Sequence, residues 1–313
     1  MSTFIHEIAT VPGALALERL DRAAVHLFPQ FSRARLQRWI KSGELTVDGE
    51  LRRPKDKVEG GEELEIEATL SEMSHAPEPI PLAVIHEDDA VIVIDKPAGL
   101  VVHPGAGNLS GTLLNGLLHH CAALASVPRA GIVHRLDKDT TGLLVVAKTL
   151  ESQNALVQQL QARQVHRIYF ALVHGVVTTR GTVDAPIGRH PTTRTRMAVQ
   201  ASGKQAITHY RVVTRYPGHS LLEVSLETGR THQIRVHMSH IGHPLVGDPT
   251  YGGRQTRRRV PPELSEALDA MPRQALHAKA LSFEHPETGQ QVTFESDLPH
   301  DMEELLEAME SVS

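Results

Sequence analysis

Apolar and polar residues along this chain follow two periods, which separate the predicted helices from the predicted strands. Helical spacing of apolar residues occurs twice near the N-terminus, at Leu17, Leu20, Ala24 and Leu27 and again at Leu36, Trp39 and Ile40. Ser32 can cap the second helix, and Gly43 can end it. Short strands follow at 45–47 and 63–67, and the Asp48-Gly49 pair is a turn signal between them. The pattern predicts a small N-terminal α+β module.

The rest of the chain mixes strand and helix patterns after a predicted linker. Residues 70–81 contain serines and prolines without apolar periodicity. Strands are predicted at 90–94, 143–147, 168–173, 207–214 and 220–226, and a helix is predicted at 151–164. Because the strands are joined partly by helices and partly by turns, we expect an α+β fold with a mixed, largely antiparallel central sheet. The predicted domains are 1–69 and 82–313, with the linker at 70–81.

Composition narrows the class of protein. The chain has 313 residues, of which 40% are hydrophobic and 22% are charged, as in globular proteins of about two domains. Cys121 is the only cysteine, which excludes an intramolecular disulfide and a thiol redox pair. Residues 1–11 lack the apolar core of a signal peptide, and no run of about 18 apolar residues occurs. We therefore expect a cytoplasmic protein that does not span a membrane.

The formal net charge of −5 hides a basic surface. Residues 59–95 carry eleven acidic residues and no Lys or Arg, so the remaining 276 residues hold 32 basic and 26 acidic residues. Basic residues cluster without acids at 33–41, formed by Arg33, Arg35, Arg38 and Lys41, and at 189–215. A third group contains Arg254 and residues 257–259. One such cluster can be a solvated face, whereas three favour a polyanionic partner.

The sharpest candidate for chemistry is a charged loop between two apolar runs, at 134–142. It reads His-Arg-Leu-Asp-Lys-Asp-Thr-Thr-Gly, and such loops often carry catalytic groups on a rigid scaffold. The local pattern does not distinguish Asp137 from Asp139 as the working carboxylate. An ordinary turn, with side chains bonded to their own backbone, is the alternative.

A second segment, at 227–237, places two arginines at a predicted helix start. Thr231 can cap a helix that has Ile234 on its apolar face, and Gly242 lies beyond its end. Arg230 and Arg235 then lie near the first turn, and an Arg beside a buried Asp keeps that Asp ionised. Surface ion pairs are the alternative for both arginines.

Nucleotide cofactors and metals lack their usual motifs. The loop at 95–107 has shaped Gly and Pro positions, but it matches neither a phosphate loop nor a dinucleotide fingerprint, so we expect no ATP or NAD. Four histidines occur close together in sequence, at positions 232, 237, 240 and 243, yet no His-Glu-x-x-His pair occurs. The spacing of 237, 240 and 243 also does not keep these three side chains on one face of a helix. We expect no metal site; a metal-dependent RNA hydrolase built on these histidines is the alternative.

Together, these segments resemble the RluA family of pseudouridine synthases. The runs that carry the resemblance are DKPAGLVVHPGAG at 95–107, HRLDKDTTG at 134–142, RIYFALVHG at 167–175 and ETGRTHQIRVH at 227–237. Residues 17–67 are similar to the S4 RNA-binding module, in the place where the family carries it. The likeness covers about residues 17–307 and implies a pseudouridine synthase fold behind the S4-like domain.

The resemblance also implies roles for individual residues. Asp137, rather than Asp139, matches the catalytic aspartate, and Tyr169 matches the active-site tyrosine. Arg235 matches the basic partner of the aspartate, although Arg230 belongs to the same motif. The remaining matches are substrate or RNA contacts: Arg135 next to the extruded base, His134, Arg230, and the S4-like residues Arg33, Arg35, Arg38 and Lys41.

The implied activity is the cofactor-free isomerisation of uridine to pseudouridine in 23S rRNA. By resemblance, the target is the hairpin loop of helix 69, reached within pre-50S particles by a monomeric, cytoplasmic enzyme. The alternative is a non-catalytic rRNA-binding or ribosome-assembly factor that uses the same basic surfaces.

Overall fold

Contacts within the chain divide it into two units, Met1–Ser74 and His75–Ser313, in this computed structural model. The structure describes residues 3–31, 33–70, 76–105, 107–193, 195–252 and 262–312. Several predictions concern residues outside these ranges: the Ser32 cap, part of the linker at 71–75, Arg194 of the second basic cluster, and the whole of the third basic cluster. Each unit has its own hydrophobic core.

The N-terminal unit packs two helices on a three-stranded antiparallel sheet. Its elements are β1 (Thr3–Thr10), α1 (Leu20–Leu27), α2 (Arg33–Ser42), β2 (Leu45–Val47) and β3 (Glu63–Leu70), with sheet order β1-β3-β2. Leu36, Trp39 and Ile40 are buried in one core with the sheet residues Leu64 and Ile66, as the helical spacing predicted. Gly43 ends α2 with φ of +85°. Both α1 and α2 are therefore amphipathic helices held by this core.

Two features of this unit differ from the sequence prediction. The strand β1 was not predicted, because Phe4 and Ile8 are 66% and 51% exposed and its apolar residues do not alternate cleanly. Leu17 was assigned to the first helix, but it is exposed with φ of +68°. Its amide donates to the carbonyl of Val58, so the helix begins only at Leu20.

The C-terminal unit is built on a nine-stranded sheet. Its strands are β4 (Ala83–Glu87), β5 (Val91–Lys96), β6 (Thr141–Ala147), β7 (His166–His174), β8 (Gly181–Asp184), β11 (Ile207–Tyr216), β12 (His219–Leu226), β13 (Leu276–Glu284) and β14 (Gln291–Glu295). Their order is β4-β5-β6-β13-β7-β12-β11-β8, and β14 pairs with β13. Among the described strands, β6 and β13 form the one parallel pair. The expected mixed, largely antiparallel sheet is confirmed.

Helices and a small second sheet complete this unit. The helices are α3 (Leu113–His120), α4 (Leu150–Gln161), α5 (Gln233–His240), α6 (Pro262–Ala270) and α7 (His300–Ser311), and β9 (Ile187–Arg189) pairs with β10 (Met197–Val199). The acidic C-terminal helix α7 is amphipathic and buries Met302, Leu305, Leu306 and Met309 in a core. In the ranges that the structure describes, no helix is both long and apolar enough to span a membrane.

One core brings the two charged motifs together. Leu136 and Ile234 are 4% exposed each and belong to the same hydrophobic cluster under the sheet. Leu136 lies in the loop before β6, and Ile234 lies in the first turn of α5. Burying these neighbours holds both backbone segments at a fixed position, so the polar residues next to them are placed by packing.

Candidate active site

Asp137 and Arg235 form an ion pair between the loop before β6 and the start of α5. Nη1 of Arg235 donates a hydrogen bond to Oδ2 of Asp137 at 2.9 Å, and the two side chains are 7% and 15% exposed. Arg230 donates instead from Nε to the carbonyl oxygen of Gln205. Of the two arginines that the sequence left open, Arg235 is therefore the one that contacts Asp137.

Asp248 holds the other edge of Arg235. Arg235 donates from Nε to Oδ2 of Asp248 at 2.7 Å and from Nη2 to Oδ1 at 3.0 Å. The backbone amides of Thr250 and Tyr251 also donate to Oδ1. Burial acts to raise the pKa of Asp248, but the hydrogen bonds and charge of Arg235 outweigh it and lower that pKa. The guanidinium is therefore fixed between two carboxylates.

Burial alone would lower the pKa of Arg235, but its carboxylate partners reverse that effect. The hydrogen bonds and charge of Asp248, together with the charge and hydrogen bond of Asp137, raise the pKa of Arg235 above its ordinary value. Arg235 is thus a permanent positive charge in a water-poor position, and it stabilises a negative charge on Asp137.

The buried side chain of Lys96 joins two loops of the site. It is fully buried, and Nζ donates to three backbone carbonyl oxygens, those of Pro97 at 2.7 Å, Leu100 at 3.0 Å and Lys138 at 2.9 Å. Burial lowers the pKa of Lys96 to about 8, and the charges of Asp139 and Asp137 oppose that shift. The ammonium therefore ties the loop at 95–107 to the loop that carries Asp137.

A cavity of about 370 Å³ opens over Asp137. It is lined by Val101, Val102, His103, Pro104, Gly105, Asn108, Arg135, Leu136, Asp137, Lys138, Asp139, His232, Arg235 and Gln274. All three loops with conspicuous sequence motifs contribute to this lining. Its volume is in the range of small-molecule pockets, large enough for one nucleotide.

Tyr169 lies in the core near this cavity but does not line it. It is 5% exposed on β7, opposite Val224 of β12 and Ala278 of β13. Burial raises the pKa of Tyr169, the charge of Arg167 opposes this, and the charge of Asp137 adds to it. The side chain is therefore a neutral phenol, and its pKa depends in part on the charge of Asp137.

The neighbours Arg135 and His134 point in different directions. Arg135 is exposed and lines the cavity, as an RNA-contacting residue requires. The Nε2 atom of His134 accepts a hydrogen bond from the amide of Val145, and Nδ1 is buried without a partner among the described residues. Burial, with the nearby charge of Arg167, lowers the pKa of His134 to about 3. His134 therefore bonds within the protein and is not among the residues that line the cavity.

The start of α5 differs from the prediction that Thr231 caps it. The N-cap position is His232, with φ of +57° and no capping hydrogen bond from its side chain. The side chain of Gln233 fixes the segment that precedes the helix, because its Oε1 accepts from the amide of Arg230 at 2.9 Å and from Oγ1 of Thr228. Ile234, on the predicted apolar face, is buried as expected, and so is Met238. The left-handed residue turns the His232 side chain toward the cavity.

The four sequence-adjacent histidines do not gather into a ligand set. Ring nitrogens of three of them bond to other protein groups: His232 to Tyr251, His237 to Thr208 and Ala185, and His243 to the carbonyl oxygen of His174. Over the described ranges, the one group of three side chains spaced for a metal is the set of His6, Glu65 and Glu67 in the N-terminal unit. The histidine cluster therefore gives no support to metal-dependent hydrolysis.

The basic residues of α2 fall into three environments. Arg33 donates to the buried carboxylate of Asp21 at 2.7 Å. The guanidinium of Arg35 lies 6.0 Å from the centre of the Trp39 ring. Arg38 and Lys41 are exposed. Arg33 is also exposed, but it stabilises the helix pair through Asp21, whereas Arg38 and Lys41 form no ion pair within the described residues.

Asp248 and Tyr251 are among the residues of this site that sequence reasoning missed. Tyr251 packs under Arg235, with the guanidinium carbon 5.1 Å from the ring centre, and its hydroxyl contacts His232. Both follow α5 in a Gly-Asp-Pro-Thr-Tyr-Gly-Gly run at 247–253, whose only local signal is a turn. A buried arginine requires a second acceptor, which is the one hint that a further acid belonged near Arg235.

Comparison with known families and proteins agrees with this geometry. Residues 90–240 match the RNA pseudouridylate synthase family, and residues 18–64 match the S4 domain family. The ribosomal large subunit pseudouridine synthase D of Pseudomonas aeruginosa is 57% identical over 311 residues, which cover 98% of this chain and 96% of that protein. The protein of the same name from Escherichia coli O157:H7 is 51% identical, covering 99% and 96%.

A solved structure supports the fold independently. Human RNA pseudouridylate synthase domain containing 4 superposes with a TM-score of 0.58 at 25% identity, covering 73% of this chain and 93% of that one. The matched family segment contains Asp137, Tyr169 and Arg235. With relatives above 50% identity over nearly the whole length, the chain belongs to the RNA pseudouridylate synthase family.

Proposed function

We propose that this enzyme isomerises uridine to pseudouridine in 23S rRNA, with Asp137 as its catalytic carboxylate. The observation that carries the proposal is the Asp137–Arg235 ion pair at the cavity, with Arg235 anchored by Asp248. The large-subunit substrate follows from the names of relatives that share more than half of their residues with this chain.

The reaction needs a carboxylate and a closed, oriented site. The glycosidic bond between C1′ and N1 breaks, the uracil turns, and a new bond forms between C1′ and C5, after which C5 loses a proton and N1 gains one. Asp137 can begin this sequence by attacking C1′ or C6, or by removing the 2′ proton. Oδ2 of Asp137 is held by Arg235, so Oδ1 is the oxygen left for the substrate. Tyr169, the active-site tyrosine by resemblance, lies in the core beside the cavity without lining it, so we assign it to supporting the uracil site from behind.

Uridine reaches Asp137 only after leaving its stack. Extruding a base costs a few kcal/mol, and less in a loop than in a duplex. Arg135, exposed at the cavity, fills the space that the base leaves. This favours a structured hairpin loop as the target, and the helix 69 loop in pre-50S particles is the site we propose. The enzyme acts there as a cytoplasmic monomer.

Phosphate contacts outside the cavity complete the binding surface. We propose an RNA-binding domain at 1–69, a linker at 70–81 and a catalytic domain at 82–313. Arg33, Arg35, Arg38 and Lys41 of α2 contact phosphates, and Arg230 contributes from the catalytic domain. These contacts supply affinity and set the register of the RNA, while base extrusion brings the uridine to the reacting carboxylate.

A matched pair of variants tests the assignment of Asp137. Unmodified 23S rRNA is incubated with wild type, Asp137→Asn or Asp139→Asn without added cofactor, and pseudouridines are mapped by chemical labelling and primer extension. We expect Asp137→Asn to abolish modification and to bind RNA within a few fold of wild type, whereas Asp139→Asn stays active. Modification by Asp137→Asn would contradict the assignment. RNA binding by wild type without any modification would favour the ribosome-assembly factor.

A further inference from the structure

His232 occupies an unusual position beside the catalytic carboxylate. It adopts a left-handed backbone conformation immediately before α5, lines the cavity, and has a side chain that is 21% exposed. Its Nε2 atom lies 3.9 Å from Oδ1 of Asp137, which is too far for a direct hydrogen bond. This Oδ1 is the oxygen that Arg235 does not bond. A polar gap therefore separates the imidazole from the free oxygen of Asp137.

The hydroxyl of Tyr251 determines which nitrogen of His232 carries the proton. That hydroxyl accepts a hydrogen bond from the amide of Met197 at 2.9 Å and lies 2.8 Å from Nδ1 of His232. Because the phenol oxygen already accepts from the Met197 amide, we assign its O–H as the donor to Nδ1 of His232. The proton of the neutral ring is then on Nε2, which faces Asp137.

The imidazole is neutral in this setting. Burial lowers the pKa of His232; the charges of Asp137 and Asp248 oppose that shift, and those of Arg235 and Arg135 add to it. The ring thus presents one N–H donor to the gap, opposite a carboxylate oxygen that only accepts.

The chemistry of the gap selects one group of a nucleotide. An atom that bonds to both sides must donate to Oδ1 and accept from Nε2–H, and two points 3.9 Å apart can each lie within about 3 Å of such an atom. Uracil carbonyls and phosphate oxygens only accept, and the uracil N3–H only donates. A hydroxyl does both, and the 2′-hydroxyl is the ribose group that distinguishes RNA from DNA.

We propose that Asp137 and His232 together bind the 2′-hydroxyl of the target uridine, and that Tyr251 orients His232 for this contact. His232 is then a specificity residue for ribose. The inference rests on the proposed function, because it places the target nucleotide against Asp137. Binding the 2′-hydroxyl also sets the position of C1′ relative to the carboxylate, so the contact contributes to rate and to discrimination.

A cycle that combines enzyme and substrate changes tests this contact. The rRNA target is assembled by ligation with either uridine or 2′-deoxyuridine at the modified position, and single-turnover rates are measured for wild type and His232→Ala. We expect His232→Ala alone to slow the reaction about tenfold, as for one lost hydrogen bond in a closed site, and the deoxy change, which removes the contacts to both His232 and Asp137, to slow it by at least as much. Made together, the two changes should cost about as much as the deoxy change alone. Any direct effect of the 2′ change on glycosidic reactivity is shared by both enzymes and cancels in the comparison.

Two further variants separate a ribose contact from a folding effect. His240→Ala changes an exposed histidine on the same helix and should keep both the rate and the ribose preference of wild type. Tyr251→Phe keeps the ring under Arg235, removes the hydroxyl that orients His232, and should reduce the ribose preference with RNA affinity unchanged. If the His232→Ala and deoxy effects multiply, or if Tyr251→Phe keeps the full preference, the inference is wrong. Inactive wild type on the all-ribose RNA would instead overturn the proposed function.

Discussion

Asp248 accepts both remaining hydrogen bonds of Arg235, at 2.7 and 3.0 Å, on the side of the guanidinium away from Asp137. The position of Arg235, the partner of Asp137, therefore depends on an acid that does not itself line the cavity. Because Asp248 is fully buried and also bonded to two backbone amides, it is a rigid anchor.

Replacing this anchor should damage catalysis more than binding. In Asp248→Asn, the amide offers one acceptor oxygen where the carboxylate offered two, so one N–H of Arg235 loses its partner. We expect the single-turnover rate to fall by 10- to 100-fold, on the order of 1.4–2.8 kcal/mol, with RNA affinity within a few fold. Urea unfolding should show a loss on the order of 3 kcal/mol.

The surface pair of Arg211 and Glu223 supplies the control for that change. Glu223→Gln makes the same carboxylate-to-amide substitution on an exposed arginine pair and should leave rate and stability nearly unchanged. Arg235→Lys should be at least as harmful as Asp248→Asn, since one ammonium lacks the flat geometry that joins both acids. An unaffected rate in Asp248→Asn would show that Arg235 is held without it.

The sequence predicted those parts of the fold in which the information is local. The alternation at 207–214 and 220–226 gave the antiparallel pair β11 and β12, and the apolar spacing of α2 gave its buried face. The sequence did not predict the strand β1, because its apolar residues Phe4 and Ile8 face solvent. The many acidic residues of α7 conceal in the sequence a buried stripe that includes Met302 and Met309.

Long-range contacts explain what sequence reasoning missed in the candidate site. Lys96 bonds to a carbonyl 42 residues away, and Arg235 bonds to Asp137 98 residues away. The family resemblance identified Asp137 and Arg235, whereas spacing alone left Asp139 and Arg230 as equals. Asp248 and Tyr251 lie in a turn-like run, and only the folded chain shows that they face Arg235.

The backbone conformation of Gly142, at the start of β6, leads to a prediction about stability. Its φ is +105°, and a Cβ there would lie 2.4 Å from the carbonyl oxygen of Ala278, its partner on β13. Gly142→Ala should therefore destabilise the catalytic domain by on the order of 3 kcal/mol or more, measured by urea unfolding with circular dichroism. Gly289→Ala, with φ of +68° and open space around its Cβ, isolates the backbone cost of about 1–2 kcal/mol. Equal effects would show that the close approach to β13 is not limiting.

Asp21 predicts an acid-sensitive N-terminal domain. Burial acts to raise the pKa of Asp21, but hydrogen bonds from Arg33, Gln37 and Arg19 and the charge of Arg33 lower it to about 2. Since the folded pKa lies below the unfolded value of about 3.9, this carboxylate adds stability above pH 4 that is lost as the pH falls toward 2. The contribution is on the order of 2 kcal/mol.

The fluorescence of Trp39 can report this loss of stability in the N-terminal unit alone. Trp39 is the only tryptophan of the chain and is buried in the N-terminal core, so its fluorescence follows unfolding of that unit. Wild type should be more stable than Asp21→Asn at pH 6, and the difference should shrink by about 2 kcal/mol as the pH approaches 2. A difference that stays constant with pH would contradict the assignment of this shift to Asp21.

The exposed residues of α2 predict how RNA binding depends on salt. Arg38 and Lys41 face solvent, and no ion pair involves either of them within the described part of the chain. If both contact phosphates, Arg38→Gln with Lys41→Gln should reduce the slope of log Kd against log salt by about 2, one for each contact. The single-turnover rate at saturating RNA should not change, because neither residue lines the cavity that contains Asp137.

Arg22→Gln, which removes an arginine already paired with Glu18, is the matched control and should leave the slope unchanged. An unchanged slope in the double variant would place the phosphate contacts on other basic residues of the chain.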